Sequence, residues 1–362
     1  MLLTQCFGGV SAEPIQKGSR LFALAVTPPQ VERPSDFWPA YERAFDLAVD
    51  TGIDLPGELA FDWRAVEKRS VLGELSYQDD NNARAIGMLK ARGLPAVITV
   101  VPIATNAYRV PDDLARRPLD DPKVITRFLR FIDWVYETTA DLVPVAVVLG
   151  NEFDIYLDLQ KAAGNDKWAE FAGLVVAVRR HVKSKARWRD VPFALEATYN
   201  GLVGGSWQTL QAINRHADVL GVSYYPLQET AVHPPTILGR HLDDLIRVYP
   251  KKTMHFYQFG YPSSRELSSS LERQREFVVE AFNQWDRHRE RIELLTFTWL
   301  YEVPAELADH MGEATLGELS PSQAFYAFIG SLGLHGGREG DAKPAFAELK
   351  RQLMTRGWHV QH

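Results

Sequence analysis

One pattern constrains this chain more than any other. A short apolar run, a polar loop and an amphipathic stretch follow one another and then repeat along most of the 362 residues. The apolar runs are Leu21–Val26, Ile53–Phe61, Pro95–Val101, Pro144–Gly150, Phe193–Ala197, Asp218–Ser223, Thr253–Gln258 and Leu294–Trp299. They are too short for core helices, and several are rich in β-branched residues, so they read as strands. The stretches between them have helical spacing. Phe37–Asp50 puts Trp38, Tyr41, Phe45 and Ala48 on one face and stops at Gly52, and Asp121-Pro122 opens a helix reaching about Thr138. Further helices are expected near Asn82–Arg92, Lys167–Lys185, Ile237–Val248, Leu271–Arg287, Pro321–Leu332 and Lys343–Met354.

Strands separated by helices must pair in parallel, because only a crossover returns the chain to the same end of the sheet. Two layouts satisfy this: a closed barrel and an open doubly wound sheet. No Gly-rich phosphate loop follows the first run, which ends in Thr27-Pro28-Pro29. Polar and aromatic residues instead cluster at the ends of many runs, as they do on a barrel whose active face is built from all the strand-to-helix loops. The expected architecture is α/β, a single-domain (β/α)8 TIM barrel over residues 21–362, preceded by a segment of residues 1–20.

The start of that segment, Met1 to Cys6, is similar to the tail of a bacterial lipoprotein signal, which would place the protein outside the cytoplasm. Against this, Gln5 is larger than the residue usual before such a cysteine, and no basic or apolar region lies upstream, so a frayed terminus is the other reading. With one cysteine, no internal disulfide can form. No apolar run approaches the ~18 residues of a spanning helix. The net charge of −6 argues mildly against nucleic acid as a partner. The ten histidines show neither HxH nor HExxH spacing, so neither metal nor cofactor is expected. No Gly-X-Ser-X-Gly elbow occurs, which weighs against a serine hydrolase. Oligomeric state is left open.

The most informative segment is Ala146–Leu157, AVVLGNEFDIYL. An apolar strand runs directly into Asn151 and Glu152, setting an amide beside a carboxyl at a strand end. Glycoside cleavage needs a proton donor on the leaving oxygen, and a partly buried Glu suits that task. Taken alone, the pair could equally be a helix cap. Three more segments follow in order: DVLGVSYYP at Asp218–Pro226, MHFYQFGYPSS at Met254–Ser264 and FTWL at Phe297–Leu300. Together with Gly333-Leu334 and Asp341–Phe346 they resemble the large clan of retaining barrel hydrolases with catalytic glutamates on strands four and seven. The flavour is closest to the endo-β-1,4-galactanases.

That resemblance implies Glu152 as acid/base and Asn151 as a contact to a sugar hydroxyl. It implies Tyr225, or in competition Tyr224, beside the nucleophile, and Trp299 as a sugar platform. Tyr261 falls in the turn after the nucleophile, and Glu302 lies just past the eighth strand. Gln258 departs from the pattern. The clan has a glutamate there, which attacks the anomeric carbon; an amide has the same shape but is a poor nucleophile. Three explanations stand: an inactivating replacement, a natural barrel that only binds carbohydrate, or another carboxylate, Glu302 or Glu196, taking the role. Glu58, Asp62 and Glu67 around Trp63 could line a cleft or simply be loop residues. The implied partner is an oligo- or polysaccharide with β linkages.

Overall fold

The computed structural model describes residues 16–228, 231–304, 308, 323–337 and 340–361. Cys6 and the rest of residues 1–15 lie outside these, as do parts of the expected helix Pro321–Leu332, of which Gln323–Ile329 is described. The first strand is Leu21–Ala25 and the second is split into Leu55–Pro56 and Leu59–Asp62. The third is Ala96–Ala104, the fourth Pro144–Asn151 and the fifth Phe193–Thr198. The sixth, seventh and eighth are Leu220–Tyr224, Met254–Phe259 and Ile292–Thr298.

Parallel ladders join these strands into one curled sheet. The path begins at Leu55–Pro56, runs through the first strand, then the eighth back to the third, and ends at Leu59–Asp62. Its two ends are therefore pieces of one segment. No ladder joins them; the chain itself does, through Gly57-Glu58. A side chain at Gly57 would place its Cβ 3.0 Å from Ala25 Cα, so this close approach to the first strand needs glycine. The irregularity expected from Pro56 and Gly57 is this break.

Side chains alternate across a strand, and here the two faces have different jobs. Outward residues pack under the helices in the main core. Inward residues Ala23, Leu55, Val97, Ala146, Val148, Ala194, Tyr257 and Leu294 form a separate small cluster inside the sheet. Two positions further along three of those strands the inward residue turns polar: Thr99 after Val97, Glu196 after Ala194 and Thr296 after Leu294, all buried. An apolar plug thus carries a polar layer on the C-terminal side of the strands.

The helices form where spacing and caps agree. Pro122–Thr138 begins with Pro at its first turn and with the Asp121 carboxylate accepting from Lys123 N at 2.7 Å; it buries Val124, Phe128, Phe131, Ile132 and Val135. Leu271–Arg287 is capped by Ser270, which accepts from Arg273 N, and buries Phe277, Val278, Ala281, Phe282 and Trp285. Elements the sequence reading missed are short: the hairpin Glu67–Arg69 with Leu75–Tyr77, and the helices Phe153–Ala162, Tyr199–Val203 and Trp207–Ile213. The hairpin is mostly polar and has no alternation to read. Leu72 and Val71 stand exposed at its tip.

Residues 16–20 belong to the barrel's packing: Lys17 N donates to Arg356 O at 2.9 Å, and Arg20 donates to Asp286 at 2.7 Å across the bottom of the fold. Among the described residues no helix is long and apolar enough to cross a membrane.

Candidate active site

A cleft of about 990 Å³ opens at the C-terminal ends of the strands, above the polar layer. Its walls include Asn151 and Glu152 from the fourth strand, Tyr225 after the sixth, Gln258 on the seventh and Trp299 after the eighth. Glu58 contributes from the break in the second strand.

The fourth strand delivers Glu152 through a sharp turn. Gly150 has φ +76° and Glu152 itself φ +46°. A left-handed backbone at a non-glycine residue costs roughly 1 kcal/mol or more. The turn is held from both sides. The next helix presents the Asp154 carboxylate to Thr198, accepting from its N at 2.9 Å and from its hydroxyl at 2.5 Å, which ties the helix to the fifth strand end. Burial pushes Asp154 up to about 7. Glu152 Oε1 accepts from Ser223 Oγ at 2.5 Å and Oε2 from Thr105 Oγ1 at 3.1 Å. Burial raises its pKa, while those two hydroxyls pull it back down. A carboxyl held in place and biased toward its protonated form is suited to donating a proton to a leaving oxygen.

Gln258 is bound at both ends of its amide. Nε2 donates to Glu196 Oε1 at 3.0 Å, and Oε1 accepts from Tyr225 OH at 3.0 Å. The other Glu196 oxygen, Oε2, accepts from Asn151 Nδ2 at 3.1 Å. Glu196 in turn is close enough to Glu58 for each to affect the other's ionisation, and Glu58 Oε1 accepts from Thr99 Oγ1 at 2.6 Å. A chain of polar groups therefore runs under the cleft from Thr99 through Glu58 and Glu196 to the two amides and Tyr225.

Trp299 is half-buried, lines the cleft and packs on a satellite cluster with Val303, Ile329 and Phe328. Three other candidates take different places. Tyr224 is fully buried and stacks on Phe259, with its hydroxyl 3.0 Å from His241 Nδ1; side chains alternate, so it points out of the barrel where Tyr225 does not. Tyr261 is buried against Phe277 and donates to His233 O at 2.7 Å, which fixes the turn after the seventh strand. Glu302 pairs with Lys343 at 2.6 Å and accepts from Gly337 N, holding the C-terminal segment rather than facing the cleft. Glu67 and Asp62 are likewise occupied by Arg127 and Arg109. Sequence reasoning did not find Ser223, Thr105 or Thr99. A usable signal existed for Thr99 alone, a polar residue at an inward position of an otherwise apolar run. Among the described residues no group of three metal-binding side chains occurs.

No protein-family model matches the chain, and no curated protein matches its sequence. Solved structures do match in shape. A thermostable mutant of a xylanase from Cellvibrio japonicus superposes with a TM-score of 0.60 at 11% identity, over 92% of this chain and 97% of that one. A family 39 glycoside hydrolase from Bacteroides cellulosilyticus gives 0.59 at 14% identity, over 94% of this chain. This chain spans 65% of that protein, less than two thirds of its length. Fungal β-1,4-galactanases give 0.56 at 15% identity, over 86% of this chain and 91% of theirs.

The chain has the fold of the barrel glycoside hydrolases. At these identities the likeness speaks for the fold alone.

Proposed function

We propose that this barrel binds a β-linked oligosaccharide in the cleft above Glu152 and Gln258, and that in its native form it does not cleave that glycan through a covalent intermediate. The observation that carries the reading is the amide of Gln258. It stands at the end of the seventh strand, where the resemblance implies a nucleophile, and it lines the same cleft as Glu152 and Trp299. Its donor meets a carboxylate and its acceptor meets a hydroxyl, so every neighbour suits an amide. That complementarity favours a native glutamine over an inactivating replacement. Glu302 is committed to Lys343 and does not stand in for a nucleophile.

Sugars offer C–H faces to aromatic rings and hydroxyls to polar groups, and the cleft provides both. Trp299 supplies the ring, and Asn151, Glu152 and Tyr225 supply the polar contacts. Trp299→Ala is expected to weaken binding of the preferred tetrasaccharide roughly 10-fold or more, as removal of a buried aromatic anchor does. Titration calorimetry against β-1,4-galacto-, gluco-, xylo- and manno-oligosaccharides and β-1,3-gluco-oligosaccharides measures it, alongside an assay for released reducing ends. If none of these glycans binds the native chain, or if binding survives the loss of Trp299 unchanged, the proposal is wrong.

A further inference from the structure

Glu196 and Glu58 are the two carboxyls that the proposed role of the cleft leaves unused. Glu196 lies in the polar layer directly below it, and Glu58, half-buried, lines the cleft beside that layer. Glu196 is wholly buried, and each of its oxygens already accepts one amide N–H, from Gln258 and from Asn151. Glu58 neighbours Glu196 closely enough to couple with it and receives the Thr99 hydroxyl on Oε1. Two carboxylates cannot hydrogen-bond to each other unless one carries a proton, and like charges this close do not both ionise readily. The donors around Glu196 assign the roles. With both oxygens engaged by amides, Glu196 is the acceptor, and the proton belongs to Glu58.

We propose that Glu196 is the positioning residue of this cleft: sharing a single proton with Glu58, it turns the N–H groups of Asn151 and Gln258 downward, so that the cleft floor presents their oxygen side and the site's negative charge lies beneath residue 258 rather than on it. What the amides face rests on the glycan reading; the proton-sharing pair does not. The arrangement selects ligands that donate hydroxyl protons to the floor, as the equatorial hydroxyls of a β-linked sugar do. It also makes the floor sensitive to pH. Burial pushes Glu58 from its ordinary 4.5 up to about 7 against the downward pull of its neighbours Thr99 and Glu196, and Glu196 is pushed up as well, first by burial and then by the charges of Glu58 and Glu152. The hydroxyls of Tyr225 and Tyr257 are the other titratable groups that feel the pair, and burial holds both neutral.

The unfolded chain loses the Glu58 proton near 4.5 and the folded chain only near 7. Between those values the folded state holds the extra proton, so this group's contribution to stability falls as pH rises through that window.

The test uses the full chain. Infrared difference spectra across pH 5–9 should show, besides Asp154, a second carboxylic acid that ionises near neutrality and that Glu58→Gln removes. NMR should show the side-chain NH₂ signals of Asn151 and Gln258 shifting along the same titration. Glu58→Gln, whose amide donates to Glu196 as the protonated acid does, should remove the titration, leave both NH₂ signals close to their low-pH positions and flatten the pH dependence of oligosaccharide affinity. Glu196→Gln keeps the volume but has one acceptor oxygen for two amides, so one NH₂ signal should move to a solvent-like position, with roughly 10-fold weaker glycan binding, the order expected for losing a buried hydrogen bond. If no acid besides Asp154 titrates near neutrality, or if that second titration persists in both variants, the pair does not share a proton. If the acid titrates but neither NH₂ signal follows it, Glu196 does not position the amides. If both NMR and infrared results appear while no glycan binds, the pair stands and the glycan reading falls.

Discussion

Exchanging acid and amide between positions 196 and 258 is expected to turn this protein into a glycosidase. The Gln258→Glu, Glu196→Gln double variant keeps the hydrogen bond between the two side chains with donor and acceptor reversed, and it puts the anionic oxygen on the seventh strand, facing the sugar. That oxygen can then attack the anomeric carbon as the leaving oxygen departs with the proton of Glu152. Water afterwards cleaves the glycosyl ester, returning a proton to Glu152. Removing an essential nucleophile costs up to roughly 10⁶ in rate in a well-studied hydrolase, so a gain of about 10³-fold over the native chain is a modest expectation.

The single variant Gln258→Glu should gain far less. Its new carboxyl would face Glu196 across the present 3.0 Å contact, with Glu58 behind it, and like charges this close keep one group protonated. Adding Glu152→Gln to the double variant should abolish the gain. Reducing-end release on whichever oligosaccharide binds best, with the product anomer followed by NMR, is the measurement; retention is the expected outcome. A double variant that binds the glycan yet cleaves nothing would mean that Glu152 and residue 258 are not disposed for this chemistry. A single variant as active as the double would mean that Glu196 exerts no hold on position 258.

The second large effect concerns stability. Asp286→Ala is expected to cost about 3–5 kcal/mol, the range for breaking a buried charge pair from one side. Asp286 Oδ1 accepts from Arg20 at 2.7 Å and Oδ2 from Arg356 at 2.7–2.9 Å, and all three side chains are largely buried. The two guanidiniums come from opposite ends of the chain, so this carboxylate joins the N-terminal segment and the last helix, Pro344–Thr355, to the helix Leu271–Arg287. Removing it leaves the Arg356 guanidinium, over the Phe282 ring, without its carboxylate in a poorly solvated place. Urea unfolding should show a lower midpoint with an unchanged slope. A loss below about 1 kcal/mol, the level of an exposed ion pair, would show that solvent already screens this network.

Much of this molecule could be read from residue order. The helices Phe37–Asp50, Ile237–Val248 and Leu271–Arg287 end where their periodicity and stop signals end. The eight strands fall within a few residues of their apolar runs, because local spacing and β-branching act over a few residues and are visible in one. The same local logic put Asn151, Glu152, Gln258 and Trp299 at strand ends, and strand ends of a parallel barrel face one cleft.

What the order of residues left open was direction and partnership. Tyr224 and Tyr225 are neighbours with the same chemistry. Only the pleat of the sixth strand sends one into the core and the other to Gln258. Glu302 and Glu196 were equivalent spare carboxylates in the sequence. The fold gave one to Lys343 and buried the other beneath two amides. Glu58 and Glu196 are 138 positions apart, and nothing local to either marks them as a pair. Their meeting depends on the second strand breaking at Gly57 and the fifth turning Glu196 inward, a long-range approach set by the curl of the sheet. Residue chemistry and period are written locally, whereas which charges share a proton is decided only when distant strands are brought side by side.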